Sequence, residues 1–294
     1  MKNAKVSNIR SFAILVVILG HCIIIFDPEW RQAYGYNYDY DSTFLYKVKC
    51  IINTFQMELF YGISGFCFFY TINKGKSFKQ IIRDKIWRIL IPYVSIAFLW
   101  MIPLRLTFKY PNYTDMKLME IITNVFMVRE VGHLWFLPVL FVMFVVASLT
   151  KNVRNIYILA IIISASFFLS CLSVLIANYT LRLVCKYFFF FYAGYLLNMF
   201  MHIKKPLMPL FITMTMLVIS LYLSGKIEVI EGMVSNVRSI IICSIIALLS
   251  PCKTTSVVKY IDSKSFSLYL LHSPLLIIGY QWFKLPPHLI PRCS

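Results

Sequence analysis

Two ionisable residues eleven positions apart, Arg10 and His21, lie in an otherwise apolar stretch, IRSFAILVVILGHCIII, from Ile9 to Ile25. At about 100° per residue, eleven steps return to within roughly 20° of the starting face, so a helix carries both on one stripe. At 1.5 Å per residue they stand about 16 Å apart along the axis. A guanidinium suits a phosphate-bearing group, and an imidazole suits proton transfer near neutral pH. Other ionisable groups interrupt apolar runs: Glu58, Lys186 and His272, with Arg88 and His133 at run ends. Such groups are expensive in hydrocarbon and mark either function or a buried pairing.

Glu58 and His21 each lie about five residues from the outer end of their run, so adjacent antiparallel helices would bring carboxylate to imidazole. A structural pair in a bundle core is the competing reading. His272, in SFSLYLLHSPLL, stands about 10 Å above the inner end of its run. It is either a second imidazole in the same cavity or a histidine bonded to a neighbouring helix. His133 opens GHLWFLPVLF beside Trp135, a pair that an interfacial position also explains. The stretch KGKSFKQIIRDKIWRILIPY gathers Lys74, Lys76, Lys79, Arg83, Lys85 and Arg88. Lys85 and Arg88, at i and i+3, share a face if a helix begins early, and such a cluster suits phosphate. It is also what an inner loop requires. No P-loop accompanies it, and no Cys/His spacing suggests a metal. The cysteines within apolar runs read as small packing residues.

These residues need membrane helices to hold them. The 294 residues are 60% hydrophobic, 17% aromatic and 14% charged, with a mean hydropathy of +0.74. A soluble domain is about 25% charged, so the expected class is an all-α polytopic membrane bundle. Nine runs approach the ~20 residues of a spanning helix: 9–26, 53–72, 88–108, 134–150, 155–177, 183–201, 207–224, 237–250 and 265–283. The first reads as a retained helix rather than a cleaved leader. The net charge of +17 is explained by membrane topology rather than by nucleic acid. With the N-terminus inside and the chain alternating, the inner segments collect more than half of the Lys and Arg residues, against Asp84 and Asp262 alone. The N-terminus is therefore expected in the cytoplasm. Outer loops at 27–52 and 109–133 are long. The first is rich in Tyr and Asp, which suits carbohydrate or an interfacial aromatic belt.

Five ordered stretches carry a resemblance: NIRSFAILVVILGHC, MELFYGISGFCF, WRILIPY, HLWFLPVLF and SLYLLHSPL. Together they resemble the acyltransferase family 3 membrane proteins, which transfer acyl groups, commonly acetyl, to extracytoplasmic carbohydrates. The resemblance implies acetyl-CoA as cytoplasmic donor, with no metal. His21 would be catalytic, as general base or transient acyl carrier, with Glu58 beside it. Arg10, Arg83, Lys85 and Arg88 would engage the phosphate-bearing end of CoA; Lys85 stands where the family often has Arg, which has the bidentate fork that Lys lacks. His133, Trp135 and His272 would line the substrate side. Family members generally have a tenth span, and this chain stops at KLPPHLIPRCS, so a single, C-terminally shortened domain over 1–294 is expected. The expected location is the inner membrane, multi-pass. The expected partners are membrane lipid, acyl-CoA and a carbohydrate acceptor, with a homo-oligomer left open. Two alternatives stand beside acetyl transfer: transfer of another acyl group such as succinyl, or glycan transport with His and Glu coupling protons. Transport is disfavoured by the lack of an inverted repeat.

Overall fold

The computed structural model describes residues 4–33, 42–107, 116–129, 131–203 and 227–282, and among these there is no strand. The helices are α1 (Ala4–Cys22), α2 (Pro28–Ala33), α3 (Thr43–Asn53), α4 (Gln56–Ile72), α5 (Phe78–Thr107), α6 (Leu118–Phe126), α7 (Gly132–Leu149), α8 (Ile156–Leu172), α9 (Tyr179–Ile203), α10 (Ile227–Leu249) and α11 (Ser256–Trp282). Six of the described helices are long and apolar enough to cross a membrane: α1, α5, α7, α8 with its following turn, α9 and α10. α4, at 17 residues, is at the short end of the spanning range.

Each expected span except 207–224, which lies outside the described residues, falls on one of these helices. The boundaries differ in instructive ways. α1 runs from Ala4 and ends at Cys22, shifted towards the N-terminus from 9–26, so His21 occupies its last turn. α10 has 23 residues where a 14-residue run was expected, because Glu228, Glu231 and Arg238 interrupt apolarity without breaking the helix. α11 begins at Ser256, through Lys259, Asp262 and Lys264, for the same reason. The loop expected at 27–52 contains α2 and α3, and that at 109–133 contains α6. The C-terminal stretch KLPPHLIPRCS lies outside the described residues.

Two prolines shape α5. It opens on a capping box, with Ser77 Oγ accepting from the Gln80 N–H and Gln80 Oε1 accepting from the Ser77 N–H. It then contains two π turns, Ile86–Leu90 and Ala97–Met101. Pro92 and Pro103 stand at the same offset after these turns. A proline ring has no N–H and collides with the carbonyl four residues back. Widening the preceding turn to i→i+5 bonding accommodates both defects, as the Ile91 N–H to Ile86 and Ile102 N–H to Ala97 bonds show.

The chain divides into two compact units. The first holds Met1–Asn53, Tyr93–Leu134 and Cys252–Ser294. Its axis is α1 against α11. α1 buries Ser7, Ser11, Ala13, Ile14, Val17 and Gly20, of which the two serines, the alanine and the glycine are small enough to allow close approach. Asn8 Nδ2 donates to the Lys253 carbonyl and Ser11 Oγ to the Val258 carbonyl, each at 3.0 Å. Asp27 caps α2 by accepting from the Glu29 and Trp30 N–H groups with Oδ1, and its Oδ2 is paired with Lys49.

The second unit holds Thr54–Pro92 and Trp135–Pro251, with α4 packed on α9. A Cβ on Gly65 would stand 1.8 Å from the Phe191 carbonyl oxygen, and one on Gly194 2.0 Å from that of Gly62. The two backbones therefore touch where only glycine fits. Asn198 Nδ2 donates to the Phe66 carbonyl at 2.7 Å, and Phe68, Phe144, Phe191 and Tyr195 fill the space around the crossing.

Candidate active site

The first unit gathers three imidazoles from three parts of the chain. The ring centroids of His21 and His272 are 4.8 Å apart at an interplanar angle of 76°. Those of His272 and His133 are 5.1 Å apart at 71°. His21 comes from α1, His272 from α11 and His133 from the 3₁₀ turn that opens α7.

Each ring is oriented by a carbonyl oxygen, which can only accept a hydrogen bond. His21 Nδ1 stands 2.9 Å from the Val17 oxygen, so Nδ1 carries the proton and Nε2 keeps a lone pair. His272 Nδ1 stands 2.8 Å from the Tyr269 oxygen and 3.1 Å from that of Leu268, which sets the same tautomer. His133 is the reverse. Its Nε2 lies 3.2 Å from the Leu270 oxygen, so the proton is on Nε2.

Pro274 explains the last bond. Lacking an N–H, it leaves the carbonyl four residues back, that of Leu270, without its helical donor. His133 supplies one. In return the Tyr269 hydroxyl donates to the His133 carbonyl. The two contacts clip the start of α7 to α11 one turn below His272.

At the opposite end of α1, Arg10 NH1 donates to Asp262 Oδ1 at 2.7 Å and Ser7 Oγ to Asp262 Oδ2 at 2.9 Å. The Asp262 side chain is 1% exposed and that of Arg10 27%. With Arg10 beside Asp262 and His21 beside His272, α1 and α11 run parallel. Arg10 to His21 spans about 16 Å and Asp262 to His272 about 15 Å along their axes. The expected common stripe on α1 is present, as one edge of this parallel pair. α11 begins at Ser256, nine residues before Ser265, so His272 stands about 24 Å from the start of the helix.

Sequence reasoning missed four contributors: Asp262, Tyr269, Pro274 and Arg105. In the sequence Asp262 reads only as an inner-segment charge. The signal for Pro274 was present, since a proline inside an apolar run always frees a carbonyl. Arg105, 5% exposed, lies with His133, Ser273, Pro274, Met101 and Leu104 around a small cavity of about 10 Å³. Gly132, at φ +55°, passes so close that a Cβ there would stand 2.6 Å from an Arg105 guanidinium nitrogen. Among the described residues no three His, Cys, Asp or Glu side chains are arranged to hold a metal ion.

The remaining candidates belong to the second unit. Glu58, expected beside His21, is 4% exposed in the first turn of α4. Its Oε2 has no hydrogen-bond partner among the described residues. Lys186 Nζ stands 5.0 Å from the Tyr187 ring centroid. Trp135 stacks on Tyr187 at 5.7 Å, and Tyr187 on Tyr61 at 5.0 Å. Lys85 and Arg88 do not share a face. Lys85 turns inward, its Nζ 3.5 Å from the Phe144 ring centroid, whereas Arg83, Trp87 and Arg88 are exposed. Arg88 lies inside the first π turn, where each residue advances less around the axis than in an α-helix, so i and i+3 part company.

A family model described as an acyltransferase domain matches residues 3–292. The chain belongs to acyltransferase family 3. Comparisons with curated proteins and with solved structures found no match. This family-3 chain is therefore a membrane acyltransferase by family. The geometry also accounts for its signature stretches. The glycine of SGF is the helix crossing at Gly65, the proline of WRILIPY follows the first π turn, and the histidine and proline of SLYLLHSPL are the ring His272 and the residue that frees the Leu270 carbonyl.

Proposed function

We propose that this family-3 protein is an inner-membrane O-acyltransferase that moves an acyl group, acetyl first among candidates, from cytoplasmic acyl-CoA to a hydroxyl of an extracytoplasmic polysaccharide or lipid-linked glycan. The observation that carries this reading is the state of His21. Its Nδ1–H is held by its own helix at the Val17 oxygen, which leaves Nε2 as the basic and nucleophilic atom on the side of the ring away from the backbone.

Arg10 supports the donor side, standing one half-membrane length away on the same helix. In this reading the N-terminus is cytoplasmic, and the exposed Arg83 and Arg88 have the charge to hold CoA phosphates. Glu58 and the Trp135–Tyr187–Tyr61 stack are assigned to the acceptor side, as the polar and aromatic surface that sugars favour.

The test is acetyl transfer by the purified chain from acetyl-CoA labelled in the acetyl group, followed beside a His21→Ala variant. Loss of an activating imidazole is expected to lower transfer by about a thousandfold. Transfer unchanged by that substitution would sink the site. Glycan flux in vesicles without any CoA turnover would replace the enzyme reading with transport.

A further inference from the structure

The site contains two imidazoles in the same tautomer, and a one-step transfer needs only one. His272 Nε2 has no hydrogen-bond partner among the described residues, although the residue is only 6% exposed. A buried nitrogen left without a bond is destabilising, so its retention calls for a use. Both rings turn Nδ1 back to a carbonyl of their own helix, so both direct Nε2 away from it. The ring spacing of 4.8 Å puts a group carried on His21 within reach of His272.

We infer that His272 is a second catalytic base, which takes the acceptor hydroxyl proton while the acyl group is carried on His21. This rests on the reading of His21 as the acyl-transferring residue and adds that transfer proceeds in two displacements. In the first, the His21 Nε2 lone pair attacks the thioester carbonyl, the C–N bond forms, the C–S bond breaks, and CoA departs as thiolate, which takes a proton from water. In the second, the hydroxyl oxygen attacks the acyl carbon while His272 Nε2 accepts the hydroxyl proton. The C–O bond forms, the C–N bond breaks, and the electron pair returns to His21 Nε2. The His272 imidazolium then gives its proton to water, balancing the one taken by the thiolate. His133 is a positioning residue in this scheme, since its bond to the Leu270 carbonyl fixes α11 just below His272.

The experiment uses the full chain in detergent with acetyl-labelled acetyl-CoA and two kinds of acceptor. Water and methyl glucoside present hydroxyls that need a base, whereas hydroxylamine attacks without one. His272→Gln is expected to lower transfer to the hydroxyl probes by about a hundredfold or more while leaving capture by hydroxylamine within about threefold of wild type. Label should then accumulate on the protein. His21→Gln should abolish both reactions. Unchanged hydroxyl transfer in His272→Gln would overturn the assignment. So would parallel loss with both acceptors in His272→Gln and in His272→Asn, since a packing defect does not distinguish nucleophiles. A wild-type chain that neither releases CoA nor becomes labelled would refute the underlying acyl-transfer reading instead.

Discussion

Asp262 receives Arg10 and Ser7 on its two oxygens, 2.7 and 2.9 Å away, and this joins the beginnings of two parallel helices. The carboxylate is buried and the guanidinium only partly so. The pair therefore holds α1 to α11 while leaving the guanidinium partly exposed.

A double-mutant cycle separates these roles. Arg10→Ala and Asp262→Ala are expected to show a coupling energy of about 1–3 kcal/mol in detergent denaturation, the range for a hydrogen bond to a charged group. Asp262→Asn, which keeps a bond for Ser7, should lose less than Asp262→Ala. Coupling near zero would mean that Arg10 serves the donor alone.

The basic residues of α5 should divide by direction. Arg88→Ala is expected to raise KM for acyl-CoA by about fivefold or more with little effect on the acceptor, because loss of one exposed phosphate contact amounts to roughly 1 kcal/mol. Lys85→Ala should instead lower the melting temperature, since its ammonium lies over Phe144. Equal effects of Arg88→Ala on donor and acceptor would reduce that residue to a topology signal.

His133 and Pro274 form a pair in which one change corrects the other. His133→Phe leaves the Leu270 carbonyl without a donor and should destabilise by about 1–3 kcal/mol. Pro274→Ala added to it restores a helical N–H for the same carbonyl and should recover most of that loss. Strict additivity in chemical denaturation would disprove the link.

The α4–α9 crossing gives a contrast between neighbours. Gly65→Ala drives a Cβ into the Phe191 backbone and should destabilise by about 1–3 kcal/mol or more. Gly62→Ala meets only an ordinary contact at 3.7 Å and should melt within about 1 kcal/mol of wild type. Similar losses at both sites would place the constraint elsewhere.

Much of this was legible in the residues. Apolar length located the helices, and isolated ionisable groups within them pointed to His21 and His272. Their proximity was not legible, because periodicity places a residue on a face of its own helix but says nothing about which helix lies opposite. Helix starts were missed at α10 and α11 for a simple reason: Glu, Lys and Arg end an apolar run yet are good helix formers. The divergence of Lys85 and Arg88 was hidden by the π turn, since spacing arguments assume 3.6 residues per turn. Proline was the available clue there, as it was for the Leu270 carbonyl.

The pairing of α1 with α11 also sets a timetable. Arg10 and Asp262 are 252 positions apart, which at about 5–20 residues per second separates their synthesis by roughly 13–50 s. Throughout that interval the first helix waits in the bilayer with a guanidinium and an imidazole that have not met their partners on α11. Until α11 is made the chain holds His21 and His133 without His272, so the cluster of three rings forms only after α11 has docked against α1.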